Sequence, residues 1–69
     1  MKMRFGKILK ELRIENKMTQ RQLGGLVKVT DRTIRDWENE NIEPCYETLG
    51  KLAQIFNVTV GQLLGFEDL

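Results

Sequence analysis

Residues 19–38 read TQRQLGGLVKVTDRTIRDWE, and this stretch decides the fold. Thr19 has the side-chain oxygen of an N-cap and Gln22 stands three residues on, a capping box that opens a helix. Thr30 opens a second helix after a short joint. Leu23, Val27, Val29, Ile34 and Trp37 are spaced so that two crossing helices share one apolar seam. That pattern is a helix-turn-helix. The polar face of the second helix is left outward, carrying Asp31, Arg32, Arg35 and Asp36.

Outward from this stretch the chain reads as further short helices, so the predicted class is all-α. The spacing of Phe5, Ile8, Leu9 and Leu12 predicts a helix over about Arg4 to Asn16, with Lys7, Lys10 and Arg13 at polar positions. Asn39 to Pro44 reads as a loop, because Pro44 disfavours helical geometry at Glu43 and is tolerated only in a helix's first turn. A fourth helix is expected over about Tyr46 to Phe56, burying Leu49, Leu52, Ala53 and Phe56. Thr59 with Gln62 makes a second capping box, opening a short fifth helix through Val60, Leu63 and Leu64. Gly65 supplies its stop, and residues 65–69 form a tail. The whole of 1–69 is read as one domain, with the helix-turn-helix at about 19–39.

Composition narrows the function. The chain has no His, no Ser and one Cys, which removes Ser-His and Cys-His nucleophilic arrangements and the ligand set of a zinc site. No enzyme, metal or cofactor is expected, and no small-molecule site is evident. No apolar run is long enough for a membrane span or a signal-peptide core, so a reducing cytoplasm is the expected compartment. The net charge of +1 conceals a polarity. Residues 1–35 hold ten Lys/Arg against three Asp/Glu, a net +7, whereas residues 36–69 hold one against seven, a net −6. Such a field orients a molecule basic side first toward a polyanion, although charged helix surfaces are also the ordinary state of a soluble bundle.

The fragments FGKILKELR, MTQRQL, VTDRTIRDWE and PCYETLGKLAQIFNVTVGQLL, in register from about Phe5 to Leu64, resemble the lambda-repressor-like Cro/XRE family of helix-turn-helix domains. The resemblance implies a compact five-helix bundle with the helix-turn-helix at helices 2 and 3. It also implies a repressor-like regulator that reads the major groove of a two-fold operator with helix 3. Thr30, Asp31, Arg32 and Asp36 match positions facing base edges. Thr33 and Arg35 match positions beside the backbone. Gln20, at the start of helix 2, and Asn39, just after helix 3, match residues that meet phosphate. Lys10 on helix 1 is read as a further phosphate contact. Helix N-termini suit phosphate oxygens, and those of helices 2 and 3 are expected to lie close together.

Arg13 and Glu38 match a pair that ties helix 1 to the end of helix 3 and serve structure, and Trp37, three residues from Ile34, is read as core. The family usually places Gly where this chain has Lys17, Lys28 and Glu40; Asn16 and Asn39, beside two of these, are expected to take the strained conformation instead. Gly24 matches a small residue under the crossing helix; Gly25 has no such explanation. Asp31 and Asp36 either brace Arg35 and Arg32 at i, i+4 spacing or accept from cytosine amino groups. Their acidity also sustains an alternative, an antitoxin- or anti-repressor-like interaction module with little DNA affinity. Partners are therefore double-stranded DNA and a second copy of the chain. Ile42, Tyr46, Ile55, Phe66 and Leu69 are candidate dimer-interface residues, and Ile8 and Ile14 are surplus apolar positions on helix 1.

Overall fold

The computed structural model describes residues 4–40 and 42–68. Five helices follow in order: α1 Phe5–Glu15, α2 Gln20–Val27, α3 Asp31–Glu40, α4 Tyr46–Phe56 and α5 Val60–Leu64. Among the described residues there is no strand. The all-α expectation holds, and helix ends fall within a residue or two of those expected. Arg4 and Asn16, for example, are the caps of α1 and not its body.

Every helix contributes at least one fully buried side chain to a single core, built on Phe5, Leu9, Leu23, Ile34, Leu52 and Leu63. Each such side chain stabilises the fold by about 1.5–3 kcal/mol relative to exposure. Helix α1 packs on α3 and α5, α2 packs on α3 and α4, and α4 packs on α5. Ile8 belongs to this core and is not surplus: its Cδ1 lies under Gly65, where α5 ends against α1. Ile14 is exposed.

One connector is used three times. Lys17, Lys28 and Asn57 take left-handed conformations with φ of 58°, 61° and 56°. The next residue, Met18, Val29 or Val58, packs against the core. Its N–H donates to the carbonyl five residues back, on Arg13 at 3.1 Å, Gly24 at 2.8 Å and Ala53 at 2.9 Å, which is the closing bond of a Schellman motif. A threonine then caps the new helix: the hydroxyl oxygens of Thr19, Thr30 and Thr59 accept from the N–H groups of Gln22, Thr33 and Gln62 at 3.0, 3.1 and 2.9 Å. Four residues past each cap stand Leu23, Ile34 and Leu63, all fully buried, so each joint has the arrangement of a hydrophobic staple.

This register overturns the expectation for the asparagines. Asn16 has φ −89° and its side-chain amide donates to the Leu12 carbonyl at 2.7 Å, while Asn39 lies inside α3. The apolar residue packed against the core sets which backbone unit must turn, and the unit before Met18 or Val29 is a lysine. A non-glycine residue held there costs about 1–2 kcal/mol.

Two glycines permit close crossings. A Cβ on Gly24 would stand 2.6 Å from the Val29 carbonyl oxygen, and one on Gly6 would stand 2.5 Å from that of Glu38 and 2.7 Å from that of Trp37. The backbone of α1 thus lies directly against the last turns of α3. Around Gly25 nothing lies within 4 Å of a Cβ, and nothing in the structure explains it.

Candidate nucleic-acid interface

The face of α3 turned from the core is built by helical spacing. Ile34 and Trp37 point inward and are buried, which leaves Arg32, Arg35, Asp36 and Asn39 as one stripe at i, i+3, i+4 and i+7. Arg32, Arg35 and Asn39 are exposed and Asp36 is half-buried; Asp31 stands exposed in the first turn. Thr30 fixes that turn by accepting the Thr33 N–H, and the two threonine hydroxyl oxygens lie 3.0 Å apart. Thr33 is half-buried, and its hydroxyl lies against that of the capping Thr30. Trp37, 7% exposed, is core, as its spacing from Ile34 requires.

The carboxylates are unbraced. Among the described residues neither Asp31 nor Asp36 forms an ion pair with Arg35 or Arg32; the one ion pair is that of Arg13 with Glu38. The two arginines and the two aspartates therefore all present free charge to solvent. An outward guanidinium on a helix face can donate two parallel N–H bonds to a guanine edge or a phosphate, and an outward carboxylate can only accept.

Gln20 occupies the first turn of α2, and its amide donates from Nε2 to Glu38 Oε1 at 3.1 Å. This contact brings the start of α2 beside the end of α3, not beside its beginning. Thr30 and Glu38 are eight residues apart, about 12 Å along a helix at the usual rise. The two helix N-termini expected to lie together therefore stand at opposite ends of α3. Asn39, expected just past helix 3, sits within its last turn, on the exposed stripe. Lys10 is exposed on α1.

Sequence reasoning missed the Gln20–Glu38 bond, for which spacing carries no signal, since the residues lie on different helices. It also placed the left-handed residue after α1 at Asn16, where the structure has Lys17. The signal there was available, as Lys17 precedes an apolar residue and a capping threonine.

Of the remaining apolar candidates, Ile42, Tyr46 and Phe66 are exposed. Ile55 packs partly against the core and so serves the fold as well as any surface. Leu69 lies outside the described residues. Leu26, not anticipated, is also exposed. Among the described residues no cluster of three or more His, Cys, Asp or Glu could hold a metal, and no helix is long and apolar enough to cross a membrane.

A helix-turn-helix family model matches residues 9–63. The chain is 34% identical over 67 residues to the HTH-type transcriptional activator BcrR of Enterococcus faecalis, covering 97% of this chain and 33% of BcrR. The P22 c2 repressor, solved in complex with a synthetic operator, superposes with a TM-score of 0.83 at 28% identity, covering 91% of this chain and 96% of that one. The hydroxypropylphosphonic acid epoxidase of S. wedmorenis also contains the fold, with a TM-score of 0.78 at 33% identity over 87% of this chain, but only 32% of the epoxidase. The chain spans between a third and about half the length of the curated relatives it matches.

Proposed function

From the membership of this chain in the Cro/XRE helix-turn-helix family of lambda-repressor-like domains, we propose that it is a sequence-specific DNA-binding regulator of transcription that places α3 in the major groove. The observation that carries this is the stripe of Arg32, Arg35, Asp36 and Asn39, offered to solvent by a capped and core-anchored α3. The solved repressor–operator neighbour supports it. Arg32 reads guanine, Thr30, Asp31 and Asp36 face the other base edges, and Thr33, Arg35, Gln20, Asn39 and Lys10 meet phosphate or support that contact. With no arginine bracing them, Asp31 and Asp36 are left to accept from cytosine amino groups.

One such helix reads few base pairs, so the regulator acts as a homodimer with two copies of α3 about 34 Å apart on a two-fold operator. Ile42, Tyr46 and Phe66 supply exposed apolar area for that association. The reading places the protein in the cytoplasm and assigns it no catalytic step.

Selection of bound duplexes from a random pool tests this. An enriched inverted repeat whose binding weakens with salt is the expected result; no binding at any salt concentration overturns it. The unpaired carboxylates of α3 favour a second reading, a protein-interaction module with little DNA affinity. It predicts that no duplex is enriched and that Asp31→Asn with Asp36→Asn creates affinity where the native chain has none.

A further inference from the structure

We propose that Lys17 and Lys28 are phosphate anchors that straddle the major groove on either side of α3, an inference resting on the DNA-binding reading above. The chain contains its own control. The same connector is built three times, from a left-handed residue, a core-packed apolar residue and a capping threonine. Before α5, which carries no part of the proposed interface, the left-handed residue is Asn57, a type that tolerates this conformation. Before α2 and α3, which carry the interface, it is lysine. Both lysines are exposed, and neither makes an ion pair or side-chain hydrogen bond among the described residues. The backbone requirement alone is met better by asparagine or glycine, and what lysine adds at these two positions is a positive charge.

Their positions fit two phosphate walls. Lys28 lies two residues before the cap of α3, at the start of that helix. Lys17 lies at its far end: the neighbouring Met18 carbonyl accepts from Arg13 Nη1 at 2.8 Å, and Arg13 in turn holds Glu38 in the last turns of α3. From Thr30 to Glu38, α3 rises about 12 Å. An α3 seated in the groove thus has one lysine near each of its ends. Arg32 and Arg35 are exposed on α3 between those ends.

The test measures binding of the native chain and of Lys17→Asn, Lys28→Asn and the double variant to a random-sequence duplex of about two helical turns, across a range of salt. Each phosphate contact contributes about 0.9 to the slope of log affinity against log salt. Each single variant is expected to flatten the slope by about that amount and to bind roughly eightfold more weakly at 0.1 M salt. The double variant is expected to lose both increments, and Lys17→Arg and Lys28→Arg to restore them. Thermal midpoints of the asparagine variants should stay level or rise, which separates lost contact from lost fold. Lys51→Asn, on α4 and outside the proposed interface, should leave the slope unchanged. Native slopes in both asparagine variants would overturn the proposal and leave the DNA-binding reading standing. A native chain that binds no duplex at any salt concentration overturns both.

Discussion

Arg13 donates from Nε to Glu38 Oε2 at 2.6 Å and from Nη2 to Oε1 at 3.2 Å, a two-pronged pair that joins α1 to the end of α3. The Glu38 side chain is fully buried and that of Arg13 is 11% exposed, so the carboxylate depends on its partners for the solvation it lost. The Met18 carbonyl and the Gln20 amide complete the set, and no buried side-chain polar atom lacks a partner among the described residues. Removing one side strands the other. Arg13→Ala and Glu38→Ala should each cost about 3–5 kcal/mol in urea unfolding, much of the stability of a domain this small. Arg13→Met with Glu38→Leu should lose far less than the two single costs combined; additive losses would contradict this account.

The adjacent glycines should respond with opposite signs. Gly25→Ala meets nothing and should stabilise by about 0.5–1 kcal/mol, because alanine is the better helix former. Gly24→Ala drives a methyl to 2.6 Å from the Val29 carbonyl oxygen, in backbone that cannot move without shifting the cap of α3. It should destabilise by about 1–3 kcal/mol and weaken DNA binding with it. Matched denaturation curves for the pair decide the matter.

Base reading and phosphate holding should separate among the interface residues. Arg32→Ala is expected to relax preference at one base pair per half-site, a loss of about 1–3 kcal/mol of discrimination. Lys10→Ala and Gln20→Ala should weaken all sequences alike. Selection profiles of the three variants show which occurs. A uniform loss from Arg32→Ala would remove it from base reading. Gln20 also donates to buried Glu38, so its variant should show a stability loss that Lys10→Ala does not.

The proposed dimer rests on the exposed apolar residues. Tyr46→Asp and Phe66→Asp should shift sedimentation toward monomer and abolish preference for inverted repeats over single half-sites, with the thermal midpoint little changed, since neither side chain is in the core. Unchanged sedimentation of a native dimer would exclude this face.

Cys45 is the N-cap residue of α4, and its Sγ lies 3.4 Å from Thr48 Oγ1. That hydroxyl first, and then the Thr48 backbone N–H, hold the thiol below its ordinary range by favouring the thiolate. A thiol lowered by folding stabilises the fold above its unfolded value, and this contribution fades as pH falls through the folded value. Alkylation rates against pH should therefore rise at lower pH for native than for urea-unfolded chain, and Thr48→Val should move the native profile upward. Coincident profiles would refute the assignment.

Much of the architecture is legible along the chain because it is local. The Thr19/Gln22 and Thr59/Gln62 capping boxes are both formed, with each glutamine Oε1 accepting the cap N–H at 2.8 and 2.9 Å. Such bonds reach three residues, and apolar spacing of three and four decides which helix face turns inward. The five helices, the core residues and the outward stripe of α3 follow from these two rules alone.

Distances between helices do not follow from them. That Gly6 must be bare beneath Glu38, that Gln20 stands at the end of α3 and not its beginning, and that Asp31 and Asp36 leave Arg35 and Arg32 unpaired are products of how the packed helices cross. Even the strained lysines obey the packing: contact of Met18 and Val29 with the core sets the register, and the residue before each turns left-handed although it is a lysine. Local chemistry wrote the helices and their caps. The core, by bringing residues far apart in sequence into contact, chose which side chains meet and which charges remain free to meet a partner.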